Sequence, residues 1–299
     1  MTKQILFITG AAGNIGRHLL NELQNKDYLL RALYHENDIS SEYPSVDFRK
    51  GDLLDPASYA SALKGIDTVI HAAGITHTNH EKLYYKINSA ATLELLKLCR
   101  TYGVKRFIFL STRAISADGG HYSHSKLIAE KYVQESGLDW VILRLGELYG
   151  TGSHRGIDAL ISHIDHLPFI PVPGNGRYTL MPIYIHDAVL SVVNVLENEN
   201  IHNKIYTVAG PEVMTYDELV DRILSIKSIK KIKVHIPITL LRMLLYITAL
   251  TNTEAFFVRD QLPRLTCHKS DDISAAVKEL SFHPRKLQDT PLFSRHYSL

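Results

Sequence analysis

Tyr122 and Lys126 stand four residues apart in a segment with helical patterning, so their side chains share one face. A free tyrosine titrates near about 10, too high for an efficient base at neutrality, and a neighbouring ammonium favours the phenolate. A tyrosine tuned in this way exchanges a proton with a substrate hydroxyl or carbonyl. Such pairs are common on solvated helices. Here the pair follows Ser111-Thr112, which ends a strand-like run, and Thr112 is the hydroxyl expected to hydrogen-bond the reacting oxygen. Only nine residues, 113–121, separate Thr112 from Tyr122, which predicts a short covering loop and an open pocket.

A second constellation lies at the start of the chain. Gly10-Ala11-Ala12-Gly13-Asn14-Ile15-Gly16 follows an apolar strand and opens a helix, with G-x-x-G-x-x-G spacing. Gly10 permits the tight turn, Gly13 lets backbone approach a pyrophosphate, and Gly16 lets helix and strand pack closely. The N–H groups and positive end of the helix favour phosphates. Gly51-Asp52-Leu53-Leu54-Asp55 and His71-Ala72-Ala73-Gly74 each follow a strand, at the carboxyl edge where open α/β sheets bind ligands. Asp52 is placed to accept from an adenine amino group, whereas Asp55 is read as a helix cap before Pro56.

The elements that position these groups alternate. Strand-like runs at 4–9, 28–34, 46–50, 68–71, 106–110 and 140–143 are interleaved with helical patterns near 14–24, 82–101 and 122–135. The alternation predicts an α/β fold, a doubly wound parallel sheet of Rossmann type, with a smaller C-terminal substrate-binding region. Residues 150–176 read as loops around one helix, 186–196 as a helix and 204–208 as a strand returning to the sheet. Thr215 and Glu218 carry a capping-box spacing. Residues 1–150 plus 183–209 are therefore assigned to a dinucleotide-binding domain, and 151–182 plus 210–299 to the substrate-binding region.

These motifs, with Asn88, resemble the extended or atypical short-chain dehydrogenase/reductases, the NAD-dependent epimerase/dehydratase group, over nearly the whole chain. The resemblance implies an oxidoreductase or epimerase/dehydratase acting at a C–OH/C=O centre of a small molecule by hydride transfer. Thr112, Tyr122 and Lys126 would be catalytic, with Lys126 also on the nicotinamide ribose and Asn88 the family's helix-kinking asparagine. Gly10, Gly13, Asn14, Ile15, Gly16, His35, Asp52, Leu53, Ala72, Ala73, Gly74 and Asn88 would hold the dinucleotide, together with Tyr122 and Lys126. The cofactor is NAD or NADP. The second strand ends Arg31-Ala32-Leu33-Tyr34-His35 without the acid of NAD-preferring members, and Arg17, Arg31 or His35 could meet a 2′-phosphate, a lean to NADP. Glu147 and Leu180 occupy the positions where sugar-nucleotide epimerases carry Asn and Arg, which weakens a sugar-nucleotide substrate. The alternative is a non-catalytic NAD(P)-binding scaffold or redox sensor, since similar chains include relatives of a respiratory complex I accessory subunit. Similar proteins also form helix–helix homodimers.

Composition sets the remaining bounds. The 299 residues carry 33 Lys and Arg against 31 Asp and Glu, a net charge of +2, without a basic block, so a nucleic-acid partner is not expected. Two cysteines, Cys99 and Cys267, make no disulfide framework, and with no targeting segment in view a cytoplasmic setting is expected. The apolar stretch Ile238 to Leu250 is too short to span a membrane and contains Arg242. It is read as C-terminal packing, with a lid or a membrane contact as alternatives. The histidine pairs His77/His80, His121/His124 and His163/His166 lack a third ligand at metal-site spacing.

Overall fold

Along β1 (Gln4–Thr9) Leu6 and Ile8 enter one apolar layer and Phe7 the opposite one, the period-two pattern of a strand covered on both faces. The computed structural model describes residues 3–116, 118–250, 260–267 and 269–294, with the side chains of 244, 246–250 and 294 left aside. β1 joins β2 (Tyr28–Tyr34), β3 (Asp47–Lys50), β4 (Thr68–His71), β5 (Arg106–Thr112), β6 (Asp139–Leu145) and the strand Lys204–Val208 in one parallel sheet. The spatial order is Lys204–Val208, β6, β5, β4, β1, β2, β3, so the chain reverses its direction of travel beside β1 and opens a crevice at the strand ends. Helices Asn14–Leu23 and Ile185–Glu197 cover one layer through Leu19, Leu20, Val189 and Val192. Ala91–Thr101 and Gly120–Gln134 cover the other through Leu95, Cys99, Ala129 and Val133. Each fully buried Leu or Val among these stabilises by about 1.5–3 kcal/mol.

The pattern at 82–101 predicts one helix, but the structure divides it into Glu81–Leu83, a π-helical segment Tyr84–Ala90 and Ala91–Thr101. Asn88 lies inside the π-helical turns, where its side chain serves the loop after β4, and such segments often mark functional sites.

A separate core forms from Tyr149, Leu160, Ile164, Leu219, Val220 and Phe293. It is built by helices Gly156–His166 and Tyr216–Ile226 and by strand Phe169–Pro173, which pairs in parallel with Ile232–Ile236. The predicted capping box is present: Glu218 N donates to Thr215 Oγ1 (3.1 Å) and Thr215 N to Glu218 Oε2 (2.7 Å). The apolar stretch forms helix Ile238–Leu250, whose Leu241 and Leu245 pack on Leu262 of helix Gln261–Thr266. Among the described residues no helix is long and apolar enough to cross a membrane.

Candidate active site

The glycine turn and the end of β4 meet at the crevice. Gly10 has φ +72°, and a Cβ there would stand 2.6 Å from Ala73 N, so glycine is required both for the turn and for the approach. Gly13 is the N-cap residue of Asn14–Leu23; no side chain caps this helix and no acid sits in its first turn, where Gly16 is buried. The first-turn amides of Asn14 and Ile15 and the helix dipole therefore remain available to an anion, and the residues fit a dinucleotide pyrophosphate. Ala72 N donates to Thr9 O (3.2 Å) and Ala73 N to Thr9 Oγ1 (3.3 Å). His71, fully buried between Thr9 Oγ1 and Thr92 Oγ1, is lowered to about 3 by burial and by the Lys126 charge and is a neutral structural tie.

Beyond β3, Asp52 Oδ1 accepts from Leu54 N (2.9 Å), and half-buried Leu53 packs against the Phe7 layer. Asp55 does precede the 3-10 turn Pro56–Ser58, but its side chain makes no capping bond. Ser58 Oγ instead ties the turn back to the preceding loop, accepting from Asp52 N (2.9 Å) and donating to Asp55 O (2.6 Å). The cations considered for a 2′-phosphate are engaged elsewhere. Arg31 bonds Asp47, Ala62 O and Lys64 O, and Arg17 pairs with Glu42. His35 lies 3.6 Å from Asp52 and 4.0 Å from Glu36.

The two hydroxyls ending β5 diverge. Ser111 Oγ donates to Glu130 Oε1 (2.6 Å), a fully buried carboxylate also held by Arg144. Thr112 Oγ1 accepts from Ala114 N (3.2 Å) and lies on the Tyr122 side, where its hydroxyl favours the phenolate. Asn88 Oδ1 accepts from Ile75 N (2.8 Å), and its amide donates to Ile75 O and Ser125 Oγ. Lys126 Nζ donates to Leu110 O (2.8 Å) and lies 4.4 Å from the Phe109 ring centre; burial lowers it to about 8, against the opposing pull of Glu130. A Cβ on Gly74 would stand 3.1 Å from Asn88 Oδ1 and 3.5 Å from Lys126 Nζ. Thr112, Tyr122, Lys126, Gly74 and Asn88 thus converge at the carboxyl ends of β4 and β5.

The short loop does not leave the site open. Tyr122 is 8% exposed, with Asp260, the N-cap of helix Gln261–Thr266, on its backbone N–H and Arg264, in that helix's last turn, over its ring. Gln261 Nε2 stands 2.6 Å from His77 Nε2, and burial, then Arg264 and Arg155, lower His77 to about 4. Beside Tyr122 a cavity of about 480 Å³ is lined by Thr78, Glu81, His121, Arg242 and Asp260. The helix Ile238–Leu250 separates it from an apolar cleft of about 270 Å³ bordered by Leu160, Ile170, Tyr216 and Leu241.

Glu147 and Leu180 both depart from nucleotide-holding chemistry. Leu180 is a core residue, 3% exposed. Glu147 accepts from Arg113, Lys269 Nζ (3.1 Å) and Met181 N (2.9 Å). Although burial opposes it, Lys269 and Arg113 hold this carboxyl down at about 2. His121 and His124 meet on the Tyr85 hydroxyl (3.0 and 3.2 Å), and among the described residues no metal-binding group of three exists. Asp260, Arg264, Arg113 and Lys269 carry no sequence motif; the one available signal was that Arg113 and Glu147 each follow the end of neighbouring strands.

A sequence model of the NAD dependent epimerase/dehydratase family matches residues 6–209. The chain is 22% identical to Homo sapiens sterol-4-alpha-carboxylate 3-dehydrogenase, decarboxylating, over 77% of this chain and 68% of that protein. It is 24% identical to NADH dehydrogenase (ubiquinone) 1 alpha subcomplex subunit 9, mitochondrial, of Dictyostelium discoideum, over 97% and 82%. The fold matches UDP-glucuronic acid 4-epimerase from Bacillus cereus, solved with UDP-glucuronic acid and NAD, with a TM-score of 0.77, 98% of each chain covered and 22% identity. The matched segment runs from the glycine turn through Thr112, Tyr122 and Lys126, and the chain belongs to the NAD dependent epimerase/dehydratase family, enzymes of the short-chain dehydrogenase/reductase type.

Proposed function

We propose that the protein oxidises, reduces or epimerises a carbinol centre of a small molecule, with Tyr122 as proton acceptor and donor. The convergence of Thr112, Tyr122 and Lys126 beside Gly74 carries this reading. A nicotinamide dinucleotide held at the glycine turn would supply the hydride acceptor and donor. In the oxidative direction Thr112 orients the substrate hydroxyl, Tyr122 as phenolate takes its proton, and the C–H electron pair leaves as hydride, giving a carbonyl. Lys126, poised against Gly74, is assigned to the ribose hydroxyls. Residues 1–150 plus 183–209 would hold the dinucleotide, and 151–182 plus 210–299 the substrate. NAD is favoured over NADP, because Arg17, Arg31 and His35 are each matched by carboxylates or carbonyls. A sugar nucleotide is the weaker substrate choice, since Glu147 is committed to Arg113 and Lys269 and Leu180 to the core.

Denaturing freshly purified protein and identifying the released dinucleotide by mass spectrometry tests the cofactor: NAD is expected. Retention favours in-place epimerisation over exchange at each turnover. With hydride transfer followed over a panel of carbinols and nucleotide sugars, Tyr122→Phe is expected to lose roughly 10²–10⁴-fold in rate and to keep dinucleotide binding. Unchanged turnover in that variant removes Tyr122 from the chemistry. The similarity to the Dictyostelium subunit over 97% of this chain favours a second reading, a cofactor-binding scaffold; NAD binding with no turnover on any panel member would support it.

A further inference from the structure

The helix that presents Tyr122 begins without a local cap. Gly119 precedes it and offers no side chain to the first-turn amides of Gly120–Gln134. The acceptor comes from far along the chain: Asp260 Oδ1 takes His121 N (2.6 Å) and Oδ2 takes Tyr122 N (3.2 Å). Gly120 has φ +85°, and a Cβ there would stand 2.6 Å from Asp260 Oδ1, so only glycine admits the carboxylate at this point.

One helical turn on, Arg264 folds back onto the same place. Its Nε donates to Asp260 O (3.1 Å) and lies 3.5 Å from Asp260 Oδ2, while Nη2 donates to Thr76 O (3.0 Å). The guanidinium carbon sits 4.5 Å from the centre of the Tyr122 ring, a cation–π distance. Both side chains are nearly buried, Asp260 at 6% and Arg264 at 13% exposure. Lys126, on the tyrosine's own helix, directs its ammonium to Leu110 O and the Phe109 ring instead.

We propose that Asp260 and Arg264 are a positioning pair for Tyr122, the carboxylate fixing the first turn of its helix and the guanidinium standing over its ring as a second cation, besides Lys126, that stabilises its phenolate. This rests on the acid/base reading of Tyr122. The groups facing the phenol are Thr112 from β5, the edge-on Tyr84 ring at 6.0 Å from the π-helical segment, and Asp260 and Arg264 from the C-terminal segment. Burial raises the phenol most; Arg264 is the strongest opposing influence, ahead of Thr112, and Asp260 adds to the rise. The pair therefore carries its own counterweight: the carboxylate that anchors the arginine also offsets part of its charge.

The test is the ionisation of Tyr122 itself, read by NMR of protein labelled with ¹³Cζ-tyrosine and saturated with NAD, the resonance being assigned by its loss in Tyr122→Phe. Arg264→Gln is expected to raise the Tyr122 pKa by about one unit, roughly a tenfold loss of phenolate at fixed pH, and Arg264→Lys to recover most of it. Asp260→Asn removes a carboxylate that adds to the rise, so it is expected to lower the Tyr122 pKa while quickening hydrogen exchange at the Tyr122 amide; Arg264→Met replaces Arg264→Gln as the deciding variant if the latter does not fold. An unmoved titration in the deciding variant overturns the proposal. The titration does not depend on turnover, so failure of the acid/base reading, seen as an active Tyr122→Phe, is a separate outcome.

Discussion

Helix Tyr216–Ile226 and helix Gly120–Gln134 both begin with amides that need acceptors, and they find them at opposite ranges. The first takes its cap from Thr215 and closes the box with Glu218, three residues on. The second takes its cap from Asp260, 138 residues beyond Tyr122. The chemistry is the same, a side-chain oxygen on first-turn N–H groups. What differs is whether the partner is delivered by local chain geometry or by the packing of a whole segment. The helix serving the C-terminal core is self-sufficient; the one carrying the candidate acid/base depends on a distant part of the molecule.

The largest expected effect at neutral pH tests how firmly that distant part is held. Glu147→Gln takes the shared carboxylate from Arg113 and Lys269, at 1% and 3% exposure, while Arg113 keeps Asp271 (2.6 Å), and should cost about 1–3 kcal/mol in denaturant unfolding. A cost below about 1 kcal/mol would mean that the C-terminal segment is anchored elsewhere.

Acid separates the two regions next. His71 titrates at about 3 in the fold against 6.5 when unfolded, so its contribution is complete above 6.5. It then falls by about 1.4 kcal/mol per pH unit as only the unfolded chain takes up the proton. Glu147, held at about 2 against 4.5, keeps its full contribution down to 4.5 and loses it below. Unfolding measured from pH 7 to 3 should therefore decline first through His71 and His77, with the larger share removed in His71→Asn; a curve flat to pH 4.5 would contradict the burial argument. The smallest effects compare the caps directly. Thr215→Ala and Asp260→Ala should each cost about 1 kcal/mol, but hydrogen exchange at the His121 and Tyr122 amides should quicken in the second variant alone. Equal exchange in both would erase the distinction.

These contrasts explain what could be read from the chain beforehand. The sheet was legible because Leu6, Phe7 and Ile8 alternate between two buried layers, and the crevice because Gly10 and Ala72-Ala73-Gly74 lie next to strand ends. Thr112 and Tyr122 were legible because a strand end and a following helix bring them together over nine residues. The break at Tyr84–Ala90 was legible only through the resemblance that makes Asn88 a helix-kinking residue: its apolar spacing suits an ordinary helix, and Asn88 meets Ile75 and Ser125 only in the folded chain. Asp260, Arg264 and Lys269 were not readable, because single charged residues announce no partner until the packing of the last third is known. The expected open pocket failed for the same reason, as the short loop at 113–121 said nothing of the segment that closes over it.

One consequence follows from the order in which a chain is made. Tyr122 leaves the ribosome well before Asp260, so for the time it takes to add 138 residues the sheet can begin to assemble around an unfinished helix end. Dinucleotide affinity and proton-transfer competence would then mature at different moments of synthesis, the first with the glycine turn and the second only when the late segment docks. On the proposed reading, the helix end at Tyr122 is completed only when the segment beginning at Asp260 docks.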